Sequence, residues 1–201
     1  MNSFYFGVGG IVHPVIFASR RLKINKLRGT IIAHDRSVAA IRIGFGYLGI
    51  VDKKYKRALW ENCGAIEFMG KAWIGIGSRI VCSGESCFGN SINFSANAEI
   101  ICYKQIRIGD NSLVSWDCLI MDTDFHKIYQ CGSEKIQSNP PKPIYIGNNV
   151  WIGCRTTLLK GCEIPDNCVI AAGSVITKKL DLPNAVYYND RPIKHGITWE
   201  C

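Results

Sequence analysis

The chain of 201 residues lacks any run of eighteen apolar residues, which excludes a transmembrane helix. It has no Cys-x-x-Cys pair, and its ten cysteines include none beside a histidine at zinc-finger spacing. Histidine is scarce, with only His13, His34, His126 and His195. No metal is therefore expected. Acidic residues are nearly missing from the first sixty positions, where eleven Lys/Arg face only Asp35 and Asp52 for a net +9. The remaining 141 residues hold thirteen Lys/Arg against fourteen Asp/Glu, a net −1. Such asymmetry attracts anionic partners: phosphate esters, acidic glycans, a membrane face or nucleic acid. No zinc finger, RNA-stacking motif or recognition helix accompanies it, so nucleic acid is not an expected partner. A secretory signal is missing too. The partly apolar start is broken by His13 and Pro14, and Arg20, Arg21 and Lys23 follow it where a signal would have them first. A cytoplasmic location is expected, with a peripheral contact to the inner membrane through the basic segment as an open alternative.

What the sequence does have is a period of six. Read from Ile146, the chain divides into IGNNVW, IGCRTT, LLKGCE, IPDNCV, IAAGSV and ITKKLD. The first positions are Ile146, Ile152, Leu158, Ile164, Ile170 and Ile176. The fifth are Val150, Thr156, Cys162, Cys168, Ser174 and Leu180, all small but the last. A helix needs a period near 3.6 and a flat strand one of 2. Six suits a short strand plus a tight turn, stacked coil on coil, with Gly147-Asn148-Asn149 supplying turn chemistry. The spacing predicts an all-β, parallel β-helix. Most cysteines, Cys154, Cys162 and Cys168 among them, read as small buried residues of such a core rather than as a disulfide scaffold.

Ile108, Val114 and Ile120 hold the same phase. Ile76, Cys82, Phe88, Phe94 and Ile100 hold it upstream, separated by a two-residue slip near Lys104-Gln105. The expected organisation is a basic segment at 1–65 that partly opens the coils, a β-helix at 66–181 and a tail at 182–201. A loop at 126–145, carrying Asn139-Pro140-Pro141-Lys142-Pro143, leaves the coil. Long loops in compact folds tend to be functional.

The blocks IRIGDNSLVS, DTDFH and YIGNNVWIGCRTTLLKGCEIPDNCVIAAGSVITKKL resemble the hexapeptide-repeat acyltransferases. They are most similar to the galactoside, maltose and surface-polysaccharide O-acetyltransferases, over roughly residues 66–180. The resemblance implies a left-handed parallel β-helix, a homotrimer, and acetyl-CoA in the groove between neighbouring subunits. It also implies a carbohydrate acceptor, with His126 at the position of the family's catalytic histidine. The chemistry suits that position, because transfer to a hydroxyl needs a base and neutral imidazole serves near pH 7. Asp122 or Asp124 would orient the ring through a carboxylate, a backbone carbonyl being the alternative. Asp124, at a fifth position of its hexad, is equally open to a structural role.

Along the donor the resemblance places Cys154, Ala172, Thr177, Lys178 and Lys194. The backbone N–H groups of Gly153 and Cys154 are candidates for the thioester oxygen, and Lys178 is a candidate for phosphate. Trp151, within the Val150–Gly153 signature, reads either as an acceptor-side residue or as a surface aromatic. The family's acceptor-binding Asn falls on Ser95 here, with Asn97 two residues on. The tail Asn189-Asp190-Arg191-Pro192-Ile193-Lys194 departs from the family's usual ending.

The resulting expectation is an acetyl-CoA-dependent O-acetyltransferase acting by direct transfer on a surface-polysaccharide sugar or its precursor. Antibiotic O-acetylation, amino-sugar N-acetylation and a non-catalytic structural β-helix are the alternatives. A γ-type carbonic anhydrase shares the fold but needs three histidines. Gly44-Phe45-Gly46-Tyr47-Leu48-Gly49 spells a dinucleotide fingerprint, but the charged run 52–57 follows it instead of an amphipathic helix.

Overall fold

The computed structural model describes every residue except Tyr47, Gln130, 132–135, Ser138 and Cys201. Part of the loop expected at 126–145 thus lies outside the described residues, as does Tyr47 of the false fingerprint. The chain winds through three sheets of nine, seven and six strands, here called the first, second and third faces. Each turn gives one short strand to each face, as in Ala72–Gly75, Arg79–Cys82 and Glu85–Phe88. Later it does so in Trp151–Ile152, Thr157–Leu159 and Glu163–Ile164. All pairings along the faces are parallel until the end, where Arg191–His195 folds back antiparallel on Ala185–Tyr188. Among the described residues no helix is long and apolar enough to cross a membrane.

The six-residue period explains the interior. Ile146, Ile152, Leu158, Ile164, Ile170 and Ile176 are all buried, and so are the fifth-position residues from Val150 to Leu180. Each buried branched residue contributes about 1.5–3 kcal/mol. Corner positions take Thr, Cys or Ser because the turn leaves little volume there. Of the nine described cysteines, Cys82, Cys102, Cys118, Cys162 and Cys168 are buried. Cys63 and Cys131 are exposed, and Cys87 and Cys154 lie between.

Upstream the turns are longer. Trp60, Ile80, Ile100 and Ile120 are register partners at intervals of twenty residues, whereas Leu158 and Ile176 are eighteen apart. The single slip expected near Lys104-Gln105 is therefore one instance of a feature that recurs in each turn between Leu59 and Met121. The extra pair sits at the corner between the second and third faces, at Cys63-Gly64, Ser83-Gly84 and Tyr103-Lys104. Glycine is required at the first two: a Cβ on Gly64 would meet the Gly84 carbonyl, and one on Gly84 that of Lys104. The longer turn also moves Ile76 out of the inward row. Ile74 fills that row, while Ile76 joins a separate edge cluster with Val51 and Ala96.

The sheets begin at Ile16, fifty residues before the hexad pattern becomes readable. Two excursions leave the coil: one between Ile41–Phe45 and Leu59–Asn62, the other between Leu119–Met121 and Ile144–Ile146. Both ends of the stack are closed by side chains. Asn2 bonds both the N–H and the carbonyl of Ile16. At the far end Asn189 and Asp190 accept from the N–H groups of Val175 and Thr177. They replace the backbone of the turn that would have come next.

Candidate functional site

The second excursion starts at Asp122. This residue is fully buried, and its carboxylate accepts from the N–H groups of Tyr103, Lys104 and Gln105 at 2.7–2.8 Å. In the turns below, the corresponding N–H groups of Ser83 and Glu85 go to backbone carbonyls of the next turn. Asp122 stands in for carbonyls that the departing chain removes. Both its oxygens are thus committed at the corner, and it does not orient His126.

The chain then makes a tight turn. Phe125 N–H donates to Thr123 Oγ1 at 3.1 Å, and Phe125 adopts φ +60°, a left-handed conformation uncommon for a bulky residue. The turn swings His126 outward and brings its Nδ1 to 2.8 Å from the Asp124 backbone oxygen. A carbonyl only accepts, so Nδ1 carries the proton and Nε2 is left as the ring's acceptor. Of the arrangements open from sequence, the carbonyl is the one observed.

The Asp124 side chain is occupied elsewhere. It leans outward rather than toward the core, and its Oδ2 lies 2.5 Å from Lys160 Nζ and 3.0 Å from Asn139 Nδ2. Asn139 also donates to the His126 carbonyl at 3.1 Å, and its own oxygen accepts from Lys160. Lys160, then Asn139, hold the Asp124 carboxyl below the usual carboxylate range. The carboxylate therefore acts on the loop, clamping both its limbs to the second face. Lys160 and Asn139 were missed as functional residues, since neither's sequence position hints at this meeting. His126 opens into a hollow of about 380 Å³ lined by Tyr103, Phe125, Lys127, Asn139, Pro140 and Pro141.

The other predicted residues lie elsewhere on the prism. Ser95, Asn97, Cys154 and Ala172 follow one another along the edge between the first and second faces. His126 lies by the edge between the second and third. Asn97 (φ +51°) donates to Asp117 Oδ1 at 2.9 Å, so its amide is tied to the neighbouring turn. Trp151 is half exposed on the first face, where its indole N–H donates to Ser115 Oγ at 3.0 Å and its ring lies 5.9 Å from Trp199. Gly153 is a packing residue, because a Cβ there would sit 2.6 Å from the Ala172 nitrogen. Its N–H bonds Ile170 O at 2.8 Å, which removes it as a donor to a thioester.

Thr177 donates its hydroxyl to Asp190 Oδ2 at 2.6 Å and is likewise engaged. Ala172, Lys178 and Lys194 are exposed. Space beside Gly173 is open at φ +73°, with nothing within 4 Å of a would-be Cβ. This edge can take an extended chain against its backbone, whereas Lys178 lies one turn above Lys160 at the edge between the second and third faces and Lys194 on the strand that ends the first face. One copy of the chain does not bring the His126 hollow and this edge together.

Residues 143–178 match the family described as bacterial transferase hexapeptide (six repeats). The match covers the late, regular turns of the chain. It is 35% identical over 101 residues to the galactoside O-acetyltransferase of Escherichia coli (strain K12), covering 49% of this chain and 47% of the relative. It is 36% identical over 100 residues to the bifunctional protein GlmU of Clostridium botulinum, covering 48% of this chain and 21% of that one. The chain thus spans half or less of the length of these relatives. The crystal structure of the polySia-specific acetyltransferase NeuO superposes with a TM-score of 0.68 over 92% of this chain and 82% of that one, at 19% identity. The shared fold is the left-handed parallel β-helix.

Proposed function

We propose that the protein is an acetyl-CoA-dependent O-acetyltransferase whose acceptor is a sugar hydroxyl of a surface polysaccharide or its precursor. The observation that carries this reading is the His126 imidazole, with its proton fixed on Nδ1 by the Asp124 carbonyl and Nε2 presented as an acceptor beside an open hollow. Nε2 takes the proton of the sugar hydroxyl as its oxygen attacks the thioester carbonyl carbon. The carbon–sulfur bond breaks, and the imidazolium returns its proton to the departing thiolate. No covalent acyl-enzyme forms. The Asp124 carbonyl stabilises the charged ring through Nδ1–H, and the Lys160–Asp124–Asn139 clamp keeps the loop in register.

The donor fits the far edge, where Ala172 and Gly173 expose backbone, and the exposed Lys178 and Lys194 lie off that edge on the same last turns as cations for its phosphates. Because this edge and His126 lie apart within one chain, a second copy must supply one of them. A homotrimer, whose closed symmetry repeats the same pairing at every interface, meets that need. The sugar O-acetyltransferase found among the sequence relatives supports the reaction class.

The test is acetyl transfer to sugar hydroxyls together with thermal unfolding in acetyl-CoA. Donor at about 100 times its Kd should add roughly 2.7 kcal/mol of stability. His126→Ala should keep that shift and lose about 10²–10⁴-fold in turnover. No shift with any acyl-CoA would leave a structural β-helix, and near-normal turnover in the variant would remove His126 from the chemistry.

A further inference from the structure

The first excursion carries the basic excess. Arg20, Arg21, Lys53, Lys54, Lys56 and Arg57 surround one hollow of about 610 Å³ whose lining includes no carboxylate. The nearby Asp52 turns an oxygen to the Lys54 N–H at 2.8 Å. Arg21 is held over the excursion by a bond to the Lys53 carbonyl. Beside this hollow on the first face lies a second, of about 410 Å³, lined by Val38, Arg42, Lys71, Trp73, Ser91 and Asn93. The Arg42 guanidinium sits 5.5 Å over the Trp73 ring, and Phe17 and Phe45 stack with centroids 4.8 Å apart.

The two hollows meet where Gly46 borders Trp73. The excursion is also anchored: Leu48 and Val51 pack on Ile76, Ala96 and Trp116. Ala96 lies between Ser95 and Asn97, so the basic hollow runs up to the acceptor-side residues of the same edge.

We propose that these joined hollows form a track for an acidic polysaccharide, the acceptor polymer of the transfer reaction. This rests on the function proposed above and adds its substrate class. Cations alone would serve any polyanion. The aromatic faces favour a chain of sugar rings, whose C–H surfaces stack on Trp73 while carboxylate or phosphate groups meet the guanidinium and ammonium groups. A concave groove that turns onto the face of a β-helix suits a linear chain better than a flat membrane. Trp73 and Trp151 are three strand spacings apart on the first face, about 14 Å. A chain held on the track therefore reaches toward the later turns only when it is several sugars long.

The test uses polygalacturonate as probe, with galacturonate monomer, neutral dextran, inorganic polyphosphate and phosphatidylglycerol vesicles for comparison. Long polygalacturonate should bind, weaken at least ten-fold between low and physiological salt, and outcompete monomer and dextran. The triple substitution Lys53→Glu, Lys54→Glu, Lys56→Glu should weaken binding at least ten-fold with an unchanged melting midpoint. Trp73→Ala should weaken polygalacturonate several-fold and leave polyphosphate unaffected. The proposal is overturned if polygalacturonate does not bind, or if the triple variant binds it as well as the parent. It is overturned equally if Trp73→Ala changes neither ligand, or if vesicles are preferred. Acetyl-CoA shifts on the same proteins separate the two readings. Polymer binding without a donor shift would sink the transferase and leave the track standing, whereas a donor shift without polymer binding would do the reverse.

Discussion

The early and late turns of this β-helix solve the same packing problem with different cross-sections. Late turns use eighteen residues, and their interior is a column of Ile and Leu with Thr, Cys and Ser at the corner. The early turns from Leu59 onward use twenty and are wide enough to hold Trp60, Phe68, Phe88 and Phe94, with the Phe88 ring 5.3 Å from that of Phe68 and 5.6 Å from that of Phe94. The change from wide to narrow falls at Asp122, where the chain leaves the coil and His126 is presented. All three faces pair straight across this break, and only the corner at Tyr103–Gln105 loses its backbone partners, which the Asp122 carboxylate replaces. That break is also where a loop can depart with a fixed exit angle. The regular late turns offer the smooth edge proposed for the donor, and the irregular early turns offer the basic, aromatic surface.

Asp122 gives the comparison its sharpest test. Asp122→Ala would leave three N–H groups without their acceptor in a buried corner, at a cost of about 3 kcal/mol or more. It should lower the melting midpoint and loosen the His126 loop together. A stable variant with an intact loop would show that the girth change does not depend on this carboxylate.

Asp124→Asn probes the other side of the loop and should do less. It keeps the backbone carbonyl that sets the His126 tautomer and loses only the charge facing Lys160, so turnover should fall no more than about ten-fold. Removing the carboxylate of an Asp–His pair, by contrast, costs about 10⁴. The clamp has a pH sign as well. The folded-state pKa of Asp124 is depressed, so its contribution is present above the ordinary carboxylate pKa and is lost as pH falls through the lower, folded value. Loop protection measured by hydrogen exchange should hold at neutral pH and fail only in acid below about pH 4.

Much of the late half was legible because Ile146 to Ile176 repeat at one spacing with small fifth positions. The early half was not. Two extra residues per turn put Ile80 and Cys82 both inward, and Ile16 and Ile41 pair across a turn of yet another length. A fixed period cannot follow lengths that change. The place of His126 at the start of an excursion was legible because the repeat breaks there. The roles of Asp122, Lys160 and Asn139 were not, since each depends on which turn lies beneath which. The donation by Gly153 N–H failed for the same reason: the ladder to Ile170 uses it.

The central claim is that the His126 hollow and the Ala172 edge meet only between copies. Mixed oligomers test it most directly. His126→Ala destroys the first, and Ala172→Trp blocks the exposed second. Each variant alone should be inactive, and unfolding and refolding the two together should restore measurable transfer at interfaces that pair an intact histidine with an intact edge. A mixture that assembles and stays as inactive as its components would contradict the account, because it would place the whole site within one chain.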